Sequence, residues 1–159
     1  MKTKLSLKRI GIAFIVLFIV IQVFRINKTI TPVNEQTDFM AVTQTNPEVA
    51  TILKNACYDC HSNQPTYPWY TSIAPVSWWI KNHINEGSKH LNFSIWQTYT
   101  VKRKDHKLEE CVEMIEEGEM PMNSYTWMHP EAKLTDAQKL LLIDWFKAEK
   151  AKLNYVAEK

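Results

Sequence analysis

Cysteine is scarce in this chain, with three in 159 residues. Beyond the pair Cys57 and Cys60 there is no second C-x-x-C, and no two histidines form an H-x-x-x-H, so the usual ligand set of a structural zinc site is missing. Strand-like alternation is nearly absent as well, which removes the βαβ setting that a thioredoxin-like cysteine pair needs. There is no internal repeat. No acid/base pair and no nucleophile beside a base stands out, so the chain is not expected to be an enzyme in its own right. Acidic residues are missing from the N-terminal part: none of the 17 Asp and Glu precedes residue 30, whereas six of the 19 Lys and Arg do. The rest of the chain holds 13 basic against 17 acidic side chains, about −4. The slight overall basicity therefore belongs to the leader, and nucleic acid is not expected as a partner.

The leader has a definite order. Lys2, Lys4, Lys8 and Arg9 precede an apolar run from Ile10 to Phe24 that only Gly11 and Gln22 interrupt, the pattern of a signal peptide or signal anchor. No A-x-A-like triplet occurs before Asn34, which favours retention, and no cysteine lies near the run to serve as a lipoprotein acylation site. Fifteen residues fall short of the ~20 that cross a bilayer core, but Leu5, Leu7 and Ile26 extend the run, and Lys8, Arg9 and Arg25 can snorkel. The expectation is one N-terminal transmembrane helix with its N-terminus in the cytoplasm. The following domain would then sit in the periplasm or its equivalent, on the outer face of the cytoplasmic membrane. At about one domain's length, the chain divides into an anchor (1–27), a polar linker (28–45), one domain (46–152) and a C-terminal tail (153–159).

The linker is Thr-rich and aperiodic, although Phe39, Met40 and Val42 can pack on the domain. "TNPEVATILKNACYDCH" opens the first clear helix, with Asn46 as N-cap, Pro47 in first position and an apolar stripe through Val49, Ile52, Leu53 and Ala56. A loop rich in Pro and aromatic residues follows, then "VSWWIKNHINEG", read as a helix capped by Gly87. "LNFSIWQTY" reads as irregular. The next helix, up to Gly118, buries Leu108, Cys111, Val112 and Ile115 and turns a row of glutamates outward, a solvated face that can also steer a basic partner. A final helix starts at a capping box of Thr135 and Gln138. The fold class is all-α with long loops.

His61 follows Cys60 directly, and that decides how the cysteines are read. In C-x-x-C-H two thiols can add across the vinyl groups of a haem while the adjacent imidazole takes an axial position on iron. One helical turn puts Cys57 and Cys60 on one face. A zinc half-site, a redox pair and a structural disulfide remain the competing readings, and Cys111 is expected to be a free, buried thiol. The sixth iron position then needs a ligand or stays open. "EEGEMPMNSY" places Met120 between a helix end and Pro121, which makes its thioether the first candidate; Met122 and His83 are the alternatives, ahead of His90, His106 and His129. Trp69, Trp78, Trp79 and Trp96 are candidates for the pocket wall, against the plainer reading of helix-spaced aromatics as core.

In the order of its elements the chain resembles small cytochromes c. More narrowly, "CYDCHSN", "YPWY", "IAPVSWWI", "EGSKHLNFSIW", "GEMPM" and "HPEAKLTDAQ" are similar to the bacterial family of membrane-anchored haem-binding domains with one C-x-x-C-H site, over roughly residues 45–150. The resemblance implies a cytochrome c-like helical domain with one covalent haem c on Cys57 and Cys60 and His61 as proximal ligand. Analogy with cytochromes c extends this to Met120 on the distal side. A long Trp-rich insertion between the haem motif and the Met loop departs from ordinary small cytochromes c. A carbonyl partner for the proximal histidine is expected in the loop after His61, near Pro65 or Pro68. The function expected is single-electron transfer between membrane-bound and soluble redox partner proteins. The rival is a haem-based sensor or peroxidase-like module with an open distal site, and a haem-free redox disulfide protein is the third possibility.

Overall fold

A computed structural model of the protein describes residues 6–156. Lys2, Lys4 and Leu5 of the basic leader and the last three residues of the C-terminal tail lie outside the described residues. Among the described residues every regular element is helical. The α-helices are α1 (Leu7–Ile21), α2 (Phe39–Val42), α3 (Pro47–Ala56), α4 (Tyr58–His61), α5 (Val76–His90), α6 (Val101–Glu116), α7 (Asn123–Thr126) and α8 (Asp136–Lys152). Three 3-10 turns, at Trp69–Ser72, Phe93–Thr98 and Pro130–Ala132, join them, and the first two replace stretches expected to be irregular.

The expected transmembrane helix, and with it the single-pass location, is corrected by α1. That helix has 15 residues, about 22 Å at ~1.5 Å per residue against a hydrocarbon core of ~30 Å. Among the described residues no helix is long and apolar enough to cross a membrane. The reason lies in the residues just beyond Ile21, which hold on to the helical domain instead of extending the helix. The Gln22 amide donates to the Ala74 carbonyl at 3.0 Å and accepts from the Ala74 N–H at 2.9 Å. Trp78 Nε1 donates to the Phe24 carbonyl at 2.7 Å, and Lys28 Nζ reaches Ser72 Oγ at 2.7 Å.

Capping sets the other boundaries much as their residues dictate. Asn46 Oδ1 accepts from the Val49 N–H at 2.9 Å with Pro47 in the first turn, and Thr135 and Gln138 close a reciprocal capping box on α8. Gly118 follows α6 with φ +75°, a conformation that favours glycine. Helices α6 and α8 form the most extensive helix pair, and Lys150 bridges to Glu109 at 3.3 Å while Lys147 meets Glu116 at 3.1 Å. Two glutamates of the row expected to face solvent are thus engaged by the neighbouring helix.

The core is aromatic, and its centre comes from the stretch between the leader and α3. Phe39 is fully buried, stacked on Phe93 at 4.9 Å between ring centroids and within 4.6 Å of Trp96 and 5.3 Å of Trp145. Asp38 caps α2 by accepting from the Met40 N–H at 3.1 Å. It is also buried, which raises its carboxyl above the usual range despite the hydrogen bonds it accepts. The Tyr58 hydroxyl donates to Asp38 at 3.3 Å and the Tyr58 ring stacks on Phe93 at 5.3 Å, so the first residue of α4 is rooted in this core.

Candidate functional site

Helix α3 ends at Ala56, and Cys57, at φ −126° and ψ −44°, breaks it before a single further turn, α4. Within that turn the Cys57 carbonyl accepts from the N–H groups of Cys60 at 3.2 Å and His61 at 2.9 Å. Tyr58 points into the core, while Cys57, Cys60 and His61 line a common cleft. The turn is closed by Ser62, whose buried hydroxyl donates to the Tyr58 carbonyl at 2.7 Å.

Helix α5 packs directly on this turn. A side chain at Gly87 would put its Cβ 2.7 Å from the Cys60 carbonyl oxygen and 3.1 Å from Cys60 Cβ, so only glycine permits the approach. The expectation that Gly87 caps the helix is thereby corrected: α5 runs on to His90, and the glycine serves close contact instead. In an open helix Gly→Ala stabilises by roughly 0.5–1 kcal/mol. Here Gly87→Ala is expected to lower the unfolding free energy of the haem-free protein by about 1–3 kcal/mol, because Cys60 backbone has to move. Denaturant titration measures it, and a net gain in stability would refute the contact.

The same approach orients His61. Its Nδ1 lies 3.0 Å from the Gly87 carbonyl and 3.2 Å from the Leu91 carbonyl, both of which can only accept, so Nδ1 carries the ring proton. Burial holds the imidazole below its ordinary range against these two carbonyls, which pull the other way. The result is a neutral ring with an unprotonated Nε2, the form that binds a metal. The carbonyl partner is thus supplied by the end of α5 and not by the loop near Pro65 or Pro68. Hydrogen bonds of this kind fix a ligating histidine's tautomer and angle.

The cleft measures about 530 Å³, within the ~300–1,000 Å³ of small-molecule and cofactor sites. Phe93, Ile115 and Phe146 give it an apolar lining, and Met120, Pro121 and Met122 close on it from the loop after α6. Of the residues expected at the site, the structure brings Cys57, Cys60, His61, Met120, Met122, His83 and His90 to this one cleft. His83 Nδ1 is within 2.8 Å of the Trp79 carbonyl one turn back, an ordinary helix bond that leaves Nε2 free. Four expected residues do not line it, and of these Trp96 is buried in the core against Phe39. Trp69 is 74% exposed, Trp78 binds the chain after α1, and Trp79, half exposed, rests against the His83 ring at 4.3 Å. The inner positions of α5 are held by Ser77, Ile84 and Gly87, and the tryptophans fall on the other sides of that helix.

Cys111, free as expected, also lines the cleft, and its burial pushes the thiol up. Burial pushes Cys57 up to about 12, with Cys60 adding to the shift, and Cys60 up to about 11, with Asp59 adding. Redox-active cysteines are shifted downward, so these thiols have the opposite character. Among the described residues no group of three or more His, Cys, Asp and Glu could hold a metal ion. Two thiols, one tautomer-fixed imidazole and a thioether loop around an apolar cleft form a donor set suited to a haem.

The model of the haem-binding domain family matches residues 16–148, most of the chain. The chain belongs to that family. No curated protein and no solved structure matches it.

Several residues of this haem-binding domain escaped sequence reasoning. Met114, a further thioether on the cleft, stands three residues after Cys111 on α6, a spacing that was there to be read. Leu91, as a backbone acceptor, carries no signal in its residue type. Tyr125 lines the cleft and bonds Asp59 at 2.8 Å, and burial with that bond raises its phenol above the ordinary range, so it stays a donor. His129 and His106 lie off the cleft: His129 Nε2 is 2.5 Å from the Tyr70 hydroxyl, and His106 pairs with Glu110.

Proposed function

We propose that this haem-binding domain is a monohaem c-type protein that passes single electrons between redox partner proteins and catalyses no reaction of its own. Cys57 and Cys60 would hold the haem through thioether bonds, His61 through Nε2, and Met120 through its sulfur on the distal side. The observation that carries this reading is the tautomer of His61, set by the Gly87 and Leu91 carbonyls beside two thiols on the same cleft. When bound, haem supplies a one-electron iron couple whose potential a thioether ligand raises. The chain's own part is to exclude water with Phe93 and Phe146, to aim the imidazole through α5, and to present Met120 from the loop after Gly118.

The test uses protein matured with a cytochrome assembly system. The ferric wild type is expected to show the thioether-to-iron charge-transfer band and to be reduced reversibly by one electron. Met120→Ala is expected to abolish the band and lower the potential, while Met122→Ala keeps both. The reverse pattern would move the ligand to Met122. Tight carbon monoxide binding by the reduced wild type without a thioether band would favour an open, ligand-binding site instead.

A further inference from the structure

The two halves of the cleft come from segments some sixty residues apart, and one side-chain pair joins them. Tyr125 donates its hydroxyl proton to Asp59 Oδ2 at 2.8 Å, with the Asn55 carbonyl 3.3 Å away as a second acceptor. Asp59 is the residue between Tyr58 and Cys60, inside the cysteine motif itself. Its other oxygen accepts from the Thr66 N–H at 2.8 Å, so the carboxylate is held from the proximal side before Tyr125 reaches it.

Tyr125 is equally tied to the methionine loop. Its N–H donates to the Met122 carbonyl at 2.9 Å, and its own carbonyl accepts from His129 at 3.0 Å. Its ring stacks on His129 at 4.3 Å and borders the cleft beside Met120 and Met122. Towards α6 the loop has backbone bonds only, from the Glu119 and Met120 N–H groups to the Met114 carbonyl at 3.0 and 3.1 Å. The hydroxyl of Tyr125 is therefore the point at which the thioether loop is fastened to the turn that carries Cys57, Cys60 and His61.

We propose that Asp59 and Tyr125 are a positioning pair that fastens the Met120 loop to the haem motif and keeps the sixth iron position closed to outside ligands. This rests on the reading of Met120 as distal ligand. A thioether is a neutral donor on a flexible stem, so its hold on iron depends on how firmly its loop is placed. A hydrogen bond to a carboxylate is roughly twice as strong as one between neutral groups, and losing it shifts the loop's equilibrium on the order of tenfold.

The experiment titrates the ferric holoprotein with imidazole and follows the thioether band. Tyr125→Phe, which removes the bond, is expected to tighten imidazole binding on the order of tenfold and to weaken the band, and Asp59→Asn, whose amide leaves a neutral bond to the hydroxyl, to do so roughly threefold. The double variant should go no further than Tyr125→Phe, because both changes act on the same contact and Phe already removes it. Trp127→Ala, at a side chain 85% exposed, should bind imidazole as the wild type does. If Tyr125→Phe does not fold, Asp59→Asn alone decides, since it keeps the size of the side chain and its acceptor for Thr66. A wild type without the thioether band would overturn the Met120 reading and the pair's role together. A wild type with the band, and variants that melt earlier while binding imidazole within twofold of it, would overturn the pair alone.

Discussion

Haem is expected to leave the Cys57→Ala/Cys60→Ala double variant on denaturation and to stay with the wild-type chain. In the protein without haem the two thiols are packing side chains. Both are free, neither makes a side-chain hydrogen bond among the described residues, and burial lifts them to about 12 and about 11, so both are neutral at physiological pH. A neutral buried cysteine packs as a small hydrophobe. Trimming two of them at the wall of a cleft is expected to cost no more than about 1–2 kcal/mol, within the ordinary range of substitutions. The fold should persist, and His61 keeps its two carbonyl partners, so the variant still binds haem without a covalent link. Haem staining after denaturing electrophoresis then reads all or nothing, and each single variant should retain one thioether. A double variant whose haem survived denaturation would place the attachment elsewhere. A wild type that released its haem would end the c-type reading.

The half of the site that rests on adjacent residues was legible in the sequence. C-x-x-C-H fits within one turn, and a turn is a local structure, so spacing alone puts the sulfurs and the imidazole on one side. Asn46, Thr135 and Gly118 were legible for the same reason, since caps are made within three or four residues. What could not be read depends on contacts across the chain. Gly87 carries the same letter whether it caps a helix or admits a neighbouring backbone, and only the 2.7 Å approach to the Cys60 carbonyl separates the two. The two carbonyls on His61 lie 26 and 30 residues away and belong to residues of no special type. Hydrophobicity misled at two places. Bulk and apolar character make the tryptophans of α5 candidates for the cleft wall although the helix turns Gly87 to it, and the apolar leader suggests a span although Gln22 and Phe24 dock on residues 74 and 78.

Phe39→Ala is expected to cost about 3–5 kcal/mol, the range for truncating a buried phenylalanine. By composition its surroundings look like a tether, in which such a change would cost almost nothing. Yet Phe39 has no exposed surface and touches rings from two later parts of the chain: Phe93 and Trp96 of the second 3-10 turn, and Trp145 and Phe146 of α8. Its loss leaves a cavity that four rigid rings cannot collapse to fill, so the cost should approach the upper part of the range. Against a typical total of ~5–15 kcal/mol this is a large share, and the melting temperature should fall by roughly 10 °C or more. The damage also reaches the haem motif, because Phe93 carries Tyr58 on its ring and meets the His61 ring edge-on at 6.4 Å. Haem-loaded protein is therefore expected to lose stability as well, although Phe39 never borders the cleft. Ile30→Ala, at a half-exposed position in the same stretch, supplies the contrast and should change stability by no more than about 0.5 kcal/mol. Equal and small effects at the two positions would mean that the stretch is a tether after all, and that the core closes without it.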